Sequence, residues 1–97
     1  MRQEYRFRAV LRQSDGLDAA YVVFPWDLRA ECGKGRMKVD ATFDGAPYAG
    51  SVVNMGVKDE AGNICYIIGV TRAIRRVIHK TFGDAVDVVI VPQEPQP

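Results

Sequence analysis

The chain reads as a mainly β domain: a small barrel of six to seven strands with two short α-helices and a pseudo-twofold relation between its halves. Two observations predict this. A strand–helix–strand unit is written twice, first as Tyr21-Val22-Val23-Phe24, Pro25 to Cys32, Gly33 to Gly35 and Met37 to Phe43, then as Cys65-Tyr66-Ile67-Ile68, Thr71 to Lys80, Gly83 and Ala85 to Val91. The remaining apolar residues mostly alternate with polar ones, which is the period of a half-buried strand. With 97 residues, 47% hydrophobic and 26% charged, the composition is that of one folded domain with one core. Residues 1–91 form that domain in this reading, and 92–97 a flexible, proline-rich tail.

Each element has a local cause. Tyr5, Phe7, Ala9 and Leu11 alternate with Arg6, Arg8, Val10 and Arg12, so the first strand should bury one face. Ser14-Asp15-Gly16 is a turn signal, and Ala19 to Phe24, apolar on both faces, should return as the hairpin partner of the first strand and lie centrally in the sheet. Phe24-Pro25 ends that strand, because proline donates no amide and suits the first helical position. Helix one is therefore expected from Pro25 to Cys32, with Asp27 in its first turn and Gly33 as its C-terminal cap.

Met37, Val39, Ala41 and Phe43 define one face of the next strand. Asp44-Gly45 before Ala46-Pro47 marks a tight turn, and Tyr48 to Asn54 returns as a strand in which Gly50 marks a bulge or a close backbone approach. Asp59 to Asn63 is a loop of hairpin length between Val57-Lys58 and Ile64 to Ile68. In helix two, Val70, Ile74, Val77 and Ile78 recur at helical spacing and are expected to face the core, with Thr71 as N-cap and the end before Phe82-Gly83. Ala85 to Val91 is apolar on nearly both faces and should be paired on both edges.

Several function classes are disfavoured by composition. Thirteen basic against twelve acidic residues leave a net charge of +1, so no global field draws the chain to nucleic acid or to a membrane. No apolar run approaches the ~20 residues of a membrane helix, and Met1 to Arg6 lacks a secretory signal, which points to the cytoplasm. Cys32 and Cys65 lack metal or redox spacing and are expected to be reduced, partly buried small residues.

Phe82-Gly83-Asp84-Ala85-Val86-Asp87-Val88 resembles the glycine-aspartate turn of small barrels built from swapped hairpins. Together with Phe24-Pro25, Phe43-Asp44-Gly45-Ala46-Pro47-Tyr48 and Ala73-Ile74-Arg75, the pattern is similar, from Tyr5 to Val91, to the bacterial domain-of-unknown-function family numbered nineteen-oh-five. That resemblance implies a closed, pseudo-twofold double-split β-barrel capped by its two helices, a fold shared with AbrB-like and MazE-like DNA-binding proteins. It implies no activity. The family commonly has Leu-Pro before the second helix and a lysine in its first turn, where Ile68-Gly69 and Thr71 stand here; the arginine that usually follows is matched by Arg75.

Catalytic candidates do not emerge. His79 is a lone histidine at a helix end, Ser14, Ser51 and Thr81 lack a nucleophile elbow, and no phosphate-binding glycine loop is present. Asp40 and Asp44 span a strand-to-turn boundary that does not make them converge. No cofactor or metal is expected. Trp26 and Tyr48 are candidates to line a ligand groove beside helix one, against the alternative of packing on the barrel end.

The basic residues carry the sharper expectation. Arg72, Arg75 and Arg76 on helix two, with Arg36 and Lys38 on the equivalent strand of the first unit, are candidates to hold an anion or a partner. A solvated basic face with exposed ion pairs is the alternative. The leading expectation is a non-catalytic binding module for a small anionic ligand or a protein partner, monomeric or weakly dimeric. The runner-up is a nucleic-acid-binding regulatory domain by analogy of fold.

Overall fold

The alternating segments become strands, and the two helical segments become short helices between them. The elements are β1 (Tyr5–Val10), β2 (Arg12–Gln13), β3 (Ala20–Phe24), α1 (Leu28–Cys32), β4 (Arg36–Phe43), β5 (Ala46–Lys58), β6 (Ile64–Val70), α2 (Arg72–Ile78) and β7 (Ala85–Pro92). They are seen in a computed structural model that describes residues 3–14 and 18–93. The seven strands form one antiparallel sheet, in the order β1-β7-β4-β5-β6-β3-β2, that curls as an open half-barrel. Among the described residues no helix is long and apolar enough to cross a membrane.

The period-two faces meet in one core. Phe24, Phe43, Val39, Val52, Ile68 and Ile90 are buried from neighbouring strands, Tyr5 and Leu11 from the first segment, and Leu28 from α1. Each such side chain contributes about 1.5–3 kcal/mol on burial, so the sheet is held mainly by its inner face. Val86, Val88 and Ile90 alternate inward along β7, which pairs with β1 on one side and β4 on the other, as its two apolar faces predicted.

Several expectations are corrected. The first segment is not simply the hairpin partner of the second: Tyr5 to Val10 pair with β7, and only Arg12 and Gln13 pair with β3. Leu11 is the corner between them, and its backbone is satisfied by the turn before β7, with its amide donating to the Asp84 carbonyl at 2.8 Å and its carbonyl accepting from the Gly83 amide at 2.8 Å. The pairings leave β1 and β2 as the two ends of the sheet, so they do not show a closed ring. Nor do they make equal halves. Although β3 lies beside β6 and β4 beside β7, the five-residue α1 buries Leu28 where the seven-residue α2 buries Arg75.

Helix boundaries shift for reasons of capping. Helix one begins at Leu28 rather than Pro25, because the Asp27 carboxylate accepts the amides of Arg29 at 3.1 Å and Ala30 at 3.4 Å and so sets the first turn. Gly33, at φ 74°, closes it as expected. Thr71 caps α2 through the Ile74 amide at 3.2 Å, but the helix ends at Ile78 with His79 in the left-handed region at φ 57°. Gly50 marks neither a bulge nor a backbone approach: it pairs in register with Val39, and it is a side chain, the Tyr48 ring, that leaves no room there for a Cβ. The irregularity in that strand lies between Asn54 and Lys58. Pro92, assigned to the tail from sequence, completes β7 opposite Val39, and the Gln93 amide donates to the Lys38 carbonyl at 3.0 Å. The Asp15-Gly16 turn and residues 94–97 of the tail lie outside the described residues.

Candidate anion-binding site on the second helix

The site begins with a residue that helical periodicity placed wrongly. A helix turns about 100° per residue, so Ile74, Arg75 and Ile78 form one stripe toward the sheet. Ile74 and Ile78 are half-buried in that stripe, and Arg75, at 7% exposure, is the buried residue of the helix. Val77, expected in the core, is 67% exposed.

A buried guanidinium needs partners, since isolated charge in an apolar setting is costly. Arg75 Nη1 donates to Asp18 Oδ1 at 3.2 Å and Nη2 to the Asp18 carbonyl at 3.4 Å. The Phe82 ring packs against the guanidinium, its centroid 5.0 Å from Cζ, which adds a cation–π contact. Arg75 Nε has no partner among the described residues. The other oxygen of the same carboxylate, Asp18 Oδ2, accepts from Arg72 Nη2. One acid from the segment entering β3 thus bridges two arginines of α2.

The far end of the helix is tied down differently. Lys80 Nζ lies 2.6 Å from Asp44 Oδ2 and donates to the Ala85 carbonyl at 2.5 Å. Asp44 also accepts the Asp87 amide at 2.8 Å, and the Lys80 ammonium together with this amide holds its carboxyl below the usual carboxylate range. Asp44 and Gly45 have φ of 49° and 86°, the conformation of a two-residue hairpin turn favoured by Asp-Gly. Asp84 accepts the Thr81 amide at 2.8 Å, so the glycine-aspartate turn is self-bonded.

Two depressions share the arginines. A groove of about 400 Å³ along α2 is lined by Arg72, Arg75, Arg76, His79, Lys80, Thr81 and Asp84. A cleft of about 240 Å³ on the other side is lined by Asp18, Ala20, Tyr48, Thr71, Arg72 and Arg75 among others. Guanidinium groups suit both to oxyanions, which they bind with paired donors. Among the described residues no three His, Cys, Asp or Glu side chains gather as a metal site requires.

The structure brings some expected site residues together and separates others. Arg72, Arg75 and Arg76 share the α2 groove. Arg36 and Lys38 do not join them: they lie opposite Val53 and Ser51, whereas α2 meets the sheet near the Asp44–Pro47 turn at the other end of β4, roughly 20 Å away at the rise of a strand. Trp26 and Tyr48 line different depressions among the described residues. Trp26 packs edge-on against Tyr5 and Phe7, with centroids 5.1 and 5.7 Å apart, and lines a depression of about 580 Å³ with Pro25, Asp27 and Tyr66. Tyr48 lines the Asp18 cleft instead. Asp18 was missed from sequence because its partners are 54 and 57 residues away and no local pattern links them.

No curated protein matches the chain. The family model for a domain of unknown function, DUF1905, matches residues 7–90, from the first strand to the last, and the chain therefore belongs to that family.

Proposed function

We propose that the domain is a small non-catalytic binding module that presents the arginine face of α2 to an anionic ligand or to an acidic surface of a protein partner. The observation that supports this is the Arg75 guanidinium, buried beneath a groove whose other lining residues include Arg72, Arg76 and His79. Guanidinium keeps its charge throughout the physiological range, so it binds and orients oxyanions without exchanging protons. The monomer or weak dimer and the cytoplasmic setting belong to the same proposal, and two free, half-buried cysteines fit a reducing compartment. A double-split barrel whose two halves differ in their helices is the matching proposal for the fold, supported by the adjacency of β3 with β6 and of β4 with β7.

Titration with inorganic phosphate and pyrophosphate, followed by amide shifts and calorimetry, tests the module. Saturable shifts along α2 are expected, and Arg72→Ala/Arg76→Ala should weaken binding about tenfold, the worth of one charge-assisted hydrogen bond. Equal affinity in the double variant would overturn the assignment of the groove. A duplex DNA titration at two salt concentrations separates the nucleic-acid alternative, which requires a steep salt slope of about one unit per phosphate contact.

A further inference from the structure

The cleft at the start of α2 already holds an anion, and that anion belongs to the chain. The Asp18 carboxylate offers Oδ1 to Arg75 and Oδ2 to Arg72, the arrangement in which two guanidinium groups grip a carboxylate or a phosphate. We propose that Asp18 is a built-in competitor for this site: a phosphate-bearing ligand takes the place of its carboxylate on Arg72 and Arg75, and the Asp18 segment moves aside. The proposal rests on the anion-binding function given above and names both its ligand class and its control.

The two sides of the contact are held unequally. Arg75 is fixed, with its side chain 8% exposed and Phe82 against its guanidinium, so it cannot follow a departing carboxylate into water. Its Nε remains a buried donor without a partner among the described residues. Asp18 is the exposed side, although its carbonyl also accepts from Arg75 Nη2 and the Ala19 carbonyl accepts the Ser14 amide, so it is the carboxylate that leaves most readily. Its side chain is 47% exposed and it precedes the first ladder pair of β3, Ala20 with Val70. The Arg72 arm of the contact is exposed on both sides and contributes little, so the single half-exposed bond to Arg75 sets the modest cost that a ligand of higher charge has to exceed. The surrounding groups suit a phosphate oxygen as well: Thr71 accepts the Ile74 amide and keeps its hydroxyl proton to donate, and Gly69 leaves the wall without a side chain. The helix terminus is not what makes the site, since the Thr71 side chain already occupies its amide.

When a competitor occupies part of the population, apparent affinity falls by the fraction of sites left open. Removing Asp18 should therefore tighten phosphate binding about 5- to 30-fold in calorimetric titration of Asp18→Ala against the unmodified chain. Glu60→Ala, in the exposed loop between β5 and β6, changes net charge equally and should stay within about twofold. In the unmodified chain, phosphate should also shift the amides of Asp18 and Ala19. Equal phosphate affinity with and without Asp18, with the α2 amides still responding, would overturn the competitor and leave the binding module standing. A chain whose α2 amides ignore phosphate in both forms would overturn both. Should Asp18→Ala not fold, Asp18→Asn and the amide shifts of the unmodified chain decide the matter in the same terms.

Discussion

Separating Asp18 from Arg75 should cost stability only while the arginine is present. The side-chain part of the contact is one charge-assisted bond at 3.2 Å from a nearly buried guanidinium to a carboxylate that is about half exposed, and the bond to the Asp18 carbonyl is kept when the carboxylate is removed. A hydrogen bond to a charged group contributes about 1.5–3 kcal/mol, and solvent screening of the exposed partner reduces this. Asp18→Ala should therefore destabilise by about 1–2 kcal/mol, the Arg72 contact adding little because that side chain is 60% exposed. Arg75→Met keeps the apolar stem in the stripe between Ile74 and Ile78, and it removes both the charge and the unpartnered Nε, so its own cost should be below about 1.5 kcal/mol. In the Arg75→Met background, Asp18→Ala should cost less than about 0.5 kcal/mol. Urea denaturation of the four proteins gives the coupling directly, expected near 1–2 kcal/mol. Additive costs, with Asp18→Ala below about 0.5 kcal/mol alone, would refute the buried ion pair and return Arg75 to a solvated face.

Two further outcomes follow from the packing of α2 and from the Asp44 turn. Ile74→Ala should cost about 1–2 kcal/mol, less than a fully buried aliphatic residue because Ile74 is half-buried, whereas Val77→Ala should stay within about 0.5 kcal/mol; the opposite order in chemical denaturation would mean the helix presents another face. Asp44 has a carboxyl held low by the Lys80 hydrogen bond and then by the Asp87 amide, so its contribution is fully present above the ordinary carboxylate value near pH 4 and is lost as pH falls through the lower folded value. Asp44→Asn, which tolerates the left-handed turn, should flatten the loss of stability between about pH 5 and pH 2; an acid slope equal to that of the unmodified chain would exclude this carboxyl as a source.

Legibility differed between backbone and side chains for identifiable reasons. Met37, Val39, Ala41 and Phe43 could be placed inward from alternation alone, since a strand has only two faces and one must be dry. Asp44-Gly45 and Gly33 were legible because few residues enter the left-handed region readily. Arg75 was misread for the opposite reason. Helical spacing defines a stripe but not its rotation against the sheet, and a valine at position 77 outweighed an arginine at 75 until a carboxylate 57 residues away was in place. The first strand was misassigned because Tyr5 to Leu11 carries no mark of whether its edge meets β3 or β7.

What the sequence determined by itself is local: the alternating strands, the two capped helices, the tight turns, the family, and the concentration of arginines on one helix. These depend on φ/ψ preferences and on periodicities spanning a few residues. What only the tertiary structure decided is which distant groups share a site. It divided Arg36 and Lys38 from the α2 arginines, placed Trp26 and Tyr48 on different depressions among the described residues, and set Asp18 between Arg72 and Arg75. Strand pairing across the whole chain sets those distances, and an ion pair between residues more than fifty positions apart leaves no periodic trace in either segment.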